Sequence, residues 1–220
     1  CNIYFPSGQS GDGRVSFNRR FVMRDGTVKS HPGRFNSEIL YCEGPIDPEV
    51  GIILFAGAGG DRIAALIHHT CHPVHGYNKR DVTAGWPGAW ATAVQKMLGQ
   101  RCTALVINGF CGNVHHHNHL DPDPVDTYQE MAGKLAETAK RILVQKMKPV
   151  DPGTLSFNLE TVELERRKLD IKTTEEARAF LKKHPSPIWE DKGKTNIQWN
   201  WVYAHSRLDM AERFSKKNTY

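Results

Sequence analysis

Apolar and polar positions follow strand and helix periods along most of the 220-residue chain. Gly51 to Ala56 is a near-continuous apolar run of strand length, and Arg62 to His69 is a second. Gly57-Ala-Gly-Gly60-Asp61 between them reads as a turn, which makes the pair a hairpin. This glycine stretch lacks the Gly-Lys-Ser/Thr ending of a phosphate loop, and no helical pattern follows it. Residues 1–6 read as a short strand. Arg14 to Met23 and Thr27-Val28 flank Asp25-Gly26, whose glycine supplies the positive φ of a tight hairpin turn. Pro32, Gly33 and Pro45 mark a long irregular loop. Pro87 suits the first turn of a helix reaching Leu98, with Gly99 as its stop, and Cys102 to Ile107 is a third buried strand. Thr127 and Glu130 form a capping box for a helix running to Met147 and ended by Pro149. Met131, Leu135, Ala139, Ile142 and Leu143 keep its apolar face. Leu155, Phe157 and Leu159 alternate as a strand, Thr173 and Glu176 cap a helix through Lys183, and Ser206 starts a last one. This order predicts a mixed-sheet α/β sandwich, not a regular doubly wound sheet.

Composition narrows the class. Hydrophobic residues make up 39% and charged residues 24%, the balance of a globular chain. The net charge of +5 is spread out, with 16 basic and 13 acidic residues in 1–150 and 13 and 11 in 151–220. No basic arm or patch points to nucleic acid. No apolar run approaches the ~20 residues that span a bilayer. The five cysteines contain no Cys-x-x-Cys pair, and Cys71, Cys102 and Cys111 read as small buried hydrophobes.

Histidine changes the picture. Eight of the 11 fall in two clusters, His68, His69, His72 and His75, then His115, His116, His117 and His119. Each cluster follows an apolar strand, and the carboxyl ends of strands are where α/β proteins place their sites. Imidazoles there suit a metal or general-base site. His68 and His69 lie on opposite faces of their strand, so at most one faces any site. His116, His117 and His119 read as a solvated loop. His72 stands just past its strand, with Pro73 fixing the backbone beside it, which suits a ligand. No His-Glu-x-x-His motif or Gly-x-Ser-x-Gly elbow is present.

Five motifs occur in order: Phe17-Asn18-Arg19-Arg20, Gly44-Pro-Ile-Asp47-Pro-Glu-Val50, Thr70-Cys-His72-Pro-Val74, Gly85-Trp-Pro-Gly88 and Gly109-Phe-Cys-Gly-Asn-Val114. Together they resemble the amino-terminal catalytic domain of the neutral/alkaline (non-lysosomal) ceramidases and their shorter bacterial relatives. The resemblance covers residues 1–150 as a motif-bearing core, with 151–220 continuing a single ceramidase-like domain that is incomplete at both ends. It implies a zinc-dependent hydrolase of an amide or acyl bond, acting on an N-acyl sphingoid base or a related lipid-like small molecule. It also implies a secreted, periplasmic or cell-surface location. His72 matches the family's His-Pro zinc ligand, and Arg19 an active-site arginine that orients the substrate or a developing oxyanion. Gly112 and Asn113 match the Gly-Asp before the catalytic serine.

This chain departs from the pattern at three places. His115 stands at the serine and His116 at the proline after it. His115 could be a general base for a zinc-bound water, an additional ligand, or the mark of an inactive site. Asn113 replaces an acid, and Gly85 stands where an aspartate is expected. The family's other zinc ligands, a His-x-His motif upstream and a glutamate and tyrosine downstream, have no counterpart here. The resemblance therefore implies that these 220 residues are part of a longer protein, and that alone they bind zinc weakly and hydrolyse nothing. The alternative is a non-catalytic binding module that keeps the fold.

Overall fold

The computed structural model describes residues 1–10, 15–75, 82–120, 127–150, 153, 156–164 and 169–216. The elements run β1 (Asn2–Tyr4), β2 (Ser7–Gln9), β3 (Phe17–Asn18), β4 (Arg20–Met23), β5 (Val28–Ser30), β6 (Ile39–Cys42), β7 (Glu49–Ala56) and β8 (Arg62–His69). After these come α1 (Gly85–Leu98), β9 (Thr103–Asn108), β10 (Val114–His115), α2 (Tyr128–Leu143), α3 (Ile171–Lys183) and α4 (Trp199–Lys216). The chain divides into two compact units, residues 1–155 and 156–220.

In the first unit the main sheet has the order β1-β7-β8-β9, with β2 also on β7. β7 and β8 pair antiparallel as the predicted hairpin, and β8 and β9 pair parallel, so the sheet is mixed. This is the predicted α/β class. The hairpin turn closes through Gly60, whose φ of 84° is open to glycine at no steric cost. Val50, Ile52 and Leu54 of β7 alternate with less buried neighbours, as do Ala65, Ile67 and His69 of β8. That period of two puts one side of the sheet against α1 and α2. Trp86, Trp90 and Val94 of α1 and Met131, Leu135, Ala139 and Ile142 of α2 fill the core between the layers. Thr127 caps α2 as expected, its side chain accepting from the Glu130 N–H. α2 ends at Leu143, short of Met147, because the polar, exposed run Gln145-Lys146 gives it no apolar face to bury.

A second small sheet, β5-β4-β6, carries the Asp25-Gly26 turn, with Gly26 at φ 78°. The expected irregular loop contains strand β6. Arg14, placed in the hairpin from sequence, lies outside the described residues. β10 pairs with β3, setting His115 opposite Phe17 and Val114 opposite Asn18.

The second unit packs α3 on α4. Asp170 caps α3, its carboxylate accepting from the Thr173 N–H. The predicted cap, Thr173, sits one turn later, and its hydroxyl is hydrogen-bonded by Arg207 of α4. Trp201 of α4 donates from Nε1 to the His184 carbonyl at 3.0 Å. α4 begins at Trp199, well before Ser206. The strand expected at Phe157 and Leu159 does not form. Residues 156–164 pair with no strand among the described residues, and Phe157 and Leu159 are exposed. Leu155 lies outside the described residues. Among the described residues no helix is long and apolar enough to cross a membrane.

Candidate active site at the ends of the parallel strands

β8 and β9 run parallel, so the segments that leave them, Thr70–His75 and Gly109–Asn113, emerge side by side. Hydrogen bonds weld the two. The Cys71 N–H donates to Asn108 Oδ1 at 3.2 Å, and Asn108 Nδ2 donates to Cys111 Sγ at 3.3 Å. The His72 N–H donates to the Val114 carbonyl at 3.1 Å. The His72 ring bonds through Nδ1 to the Cys111 carbonyl at 2.8 Å. A carbonyl can only accept, so Nδ1 carries the proton and Nε2 keeps its lone pair.

Arg19 joins from the other side. Its N–H donates to the Asn113 carbonyl at 2.8 Å, and its Nε and Nη2 both donate to the Gly112 carbonyl, at 3.2 and 2.8 Å. The fork of a guanidinium fits such a double contact. Arg19 Nη1 also donates to His31 Nε2 at 3.2 Å. Arg19, His72, Gly112, Asn113 and His115, picked out separately in the sequence, thus meet in one network.

At Gly109 the second segment lies against the end of β8 and Thr70. A Cβ there would lie 2.1 Å from Thr70 Oγ1 and 2.9 Å from His68 Nε2, and Thr70 is buried. Gly109→Ala is therefore expected to destabilise the chain by about 1–3 kcal/mol, the range for overpacking a filled site. Gly112→Ala meets nothing within 4 Å and is expected to stay within about 0.5 kcal/mol of the parent. Urea midpoints of the two variants check the contrast.

The second histidine cluster is not a solvated loop. His116 and His119 are buried, at 8% and 4% exposure, and His115 and His117 are half-buried. The rings pack on each other and on the first cluster, with His116 stacked on His75 at 3.5 Å between centroids and on His115 at 4.2 Å. His31, which no sequence motif singled out, lies 4.9 Å from His115 and 5.2 Å from His119, centroid to centroid. It adopts a left-handed φ of 53°. Its one sequence signal was shared with His72: a proline follows it. His68 and His69 do face opposite ways. His69 is fully buried toward the helices, its Nδ1 on the Glu49 carbonyl, and edge-on to Trp86.

Burial dominates the electrostatics. It pushes His115 down to about 2, His116 to about 3 and His119 to about 4, with neighbouring imidazoles adding to each and Arg19 adding to His115. His31 is lowered by burial, then by Arg19, His117 and His72. These rings are neutral at pH 7. Cys71 and Cys102 are buried as expected, whereas Cys111 is only half-buried, and burial pushes the Cys71 thiol well above its usual range, which makes it unreactive.

His72 has the form of a metal ligand, because a carbonyl on Nδ1 fixes the ring and frees Nε2. Among the described residues, no three His, Cys, Asp or Glu side chains form a group that could hold a metal ion. A catalytic zinc needs three protein ligands, so the described residues fit zinc at one donor only.

No protein-family model and no curated protein sequence matches the chain. Solved structures similar to it include two ceramidase structures. One is described as a ceramidase complexed with C2, at 18% identity and a TM-score of 0.49. The other is the neutral ceramidase from Pseudomonas aeruginosa, at 19% identity and a TM-score of 0.47. Each match covers 66% of this chain, and the chain spans 22% of the length of each.

Proposed function

We propose that the chain forms part of a zinc-dependent hydrolase of an amide or related acyl bond, with an N-acyl sphingoid base or a similar lipid-like molecule as substrate. The observation that carries this reading is the network above. The motif residues Arg19, His72, Gly112, Asn113 and His115 are scattered over 97 positions of sequence, and hydrogen bonds and strand pairing bring them together where β8 and β9 end. The resemblance of the five ordered motifs supplies the reaction class.

His72 would supply one zinc ligand, and the rest of the donor set would come from beyond the described residues. Zinc, when bound in such a site, polarises a carbonyl and lowers the pKa of water. The work of this chain's own residues follows from their contacts. The Cys111 carbonyl holds the His72 ring in one tautomer. Arg19 fixes the Gly112-Asn113 turn while its charge stays beside the imidazoles, where it favours an oxygen that gains negative charge during acyl transfer. On the same resemblance the protein would work secreted, in the periplasm or at the cell surface.

The test is to express the complete product of the gene, measure its zinc by elemental analysis, and follow label release from a fluorescent N-acyl sphingosine. Zinc with release supports the reading. Zinc-free protein that releases nothing overturns it and favours the non-catalytic binding module.

A further inference from the structure

His115 holds the position where a nucleophile would stand in the motif it matches, and its hydrogen bonding restricts what it can do. The backbone N–H of His117 donates to His115 Nδ1 at 3.1 Å. An N–H can only donate, so Nδ1 must carry a lone pair, and the proton of the neutral ring sits on Nε2. This is the reverse of His72, where a carbonyl holds the proton on Nδ1. Two histidines of one site are thus set in opposite tautomers by backbone groups on the two sides of the Cys111–His117 segment.

We propose that His115 serves as a neutral hydrogen-bond donor, presenting Nε2–H to the carbonyl oxygen of the substrate's acyl group, and not as a general base or a metal ligand. The inference rests on the reading of the site as one that acts on an acyl bond. A base or a ligand needs a free lone pair. The Nδ1 pair is engaged by the His117 N–H, and Nε2 is occupied by the proton. Among the described residues no acceptor takes that Nε2 proton. The ring is half-buried, so the donor is open to an incoming group while its surroundings strengthen the bond it can make.

The neighbours hold this arrangement. β10 fixes the His115 backbone against Phe17 of β3, and the ring stacks on buried His116 at 4.2 Å and meets His31 edge-on at 4.9 Å. His31 accepts from Arg19, so the guanidinium and His115 flank the same ring. Burial together with His116, His31, His117 and Arg19 keeps the ring from gaining a second proton near neutral pH. A neutral imidazole that polarises a carbonyl through its N–H is an established catalytic device. No bond to His115 forms or breaks in this role, and the ring keeps its proton throughout.

Two measurements on the complete gene product test the proposal. The first needs no substrate. Long-range proton–nitrogen correlation on histidine-labelled protein, with His115 assigned by its loss in His115→Gln, is expected to show protonated Nε2 and bare Nδ1 at pH 7. Protonated Nδ1 overturns the proposal. The second is hydrolysis of the fluorescent N-acyl sphingosine. Gln supplies an N–H donor but no basicity, so His115→Gln is expected to keep kcat within about 10-fold of the parent. His115→Ala, which removes the donor, is expected to lose about 10²–10³-fold. Equal losses in Gln and Ala variants overturn the donor role. A parent protein that hydrolyses nothing overturns the functional reading, and with it the acyl oxygen as the group that His115 meets, whereas protonated Nδ1 in a parent that does hydrolyse the substrate overturns the donor role alone.

Discussion

Between pH 7.5 and pH 5 the first unit is expected to lose roughly 4 kcal/mol of folding stability through two histidines. His116 and His119 have unfolded values near the usual 6.5 and folded values pushed by burial to about 3 and about 4. A depressed folded pKa means that the unfolded chain binds the proton first. Stability is therefore complete above pH 6.5 and falls as the pH drops below it, until the folded rings also titrate. At pH 5, about 1.5 units below the unfolded value, each ring costs about 2 kcal/mol. Half-buried His115 adds a share reduced by solvent screening. Against a total of ~5–15 kcal/mol this is a large fraction, and the melting temperature should fall by roughly 10 °C. Melting curves at pH 7.5 and pH 5 check it. A double variant, His116→Phe with His119→Phe, keeps rings where His116 stacks on His75 and His119 meets Phe21. It should flatten the pH dependence. An unchanged slope would show that the imidazoles are solvated.

The other large effect lies under the sheet. Trp86 and Trp90 are fully buried, 6.0 Å apart between ring centroids, and they join α1 to the core that β7, β8 and α2 share. Trp86→Ala is expected to cost about 3–5 kcal/mol, since the close-packed layers cannot collapse onto the space left behind. Trp86→Phe is expected to cost under about 1.5 kcal/mol. The indole N–H of Trp86 is buried with no hydrogen-bond partner among the described residues, so removing it recovers a desolvation cost that offsets part of the lost contact. Urea unfolding of both variants at pH 7.5 separates the packing contribution from the polar one. Equal losses would mean that the N–H is satisfied in solution.

What the sequence made legible is what local chemistry determines. The Asp25-Gly26 turn, the Thr127 cap and the three apolar strands over β7, β8 and β9 each rest on residues within a few positions of one another, although β9, expected to be buried, leaves Leu105 and Ile107 exposed. The caps that misled show the limit. Asp170 and Thr173 both suit the start of α3. The choice fell to Asp170 because its carboxylate reaches the Thr173 N–H, while the Thr173 hydroxyl is engaged by Arg207 in the next helix. Phe157 and Leu159 alternate like a strand, yet a strand needs a partner edge, and alternation says nothing about whether one is present.

In the site, His72, Arg19 and the Gly112-Asn113 turn could be picked from motifs. The burial of His116 and His119 could not, because four imidazoles in five residues read as polar surface. His119 is sheltered by His31 and Phe21, more than 80 positions away, and His116 by His75, 41 positions away. The tautomers were equally hidden. They depend on one backbone carbonyl and one backbone N–H, groups every residue carries, and only the fold decides which of them meets which ring.

The proposed reading has the segments at the ends of β8 and β9 act on an acyl bond, with His72 among the metal ligands. The most direct measurement compares the complete gene product with its His72→Ala variant in zinc content and in label release from fluorescent N-acyl sphingosine. The parent should carry zinc and release label, and the variant should lose both while its melting temperature stays near the parent's. A parent without zinc that releases nothing, or a variant that keeps both, would contradict it.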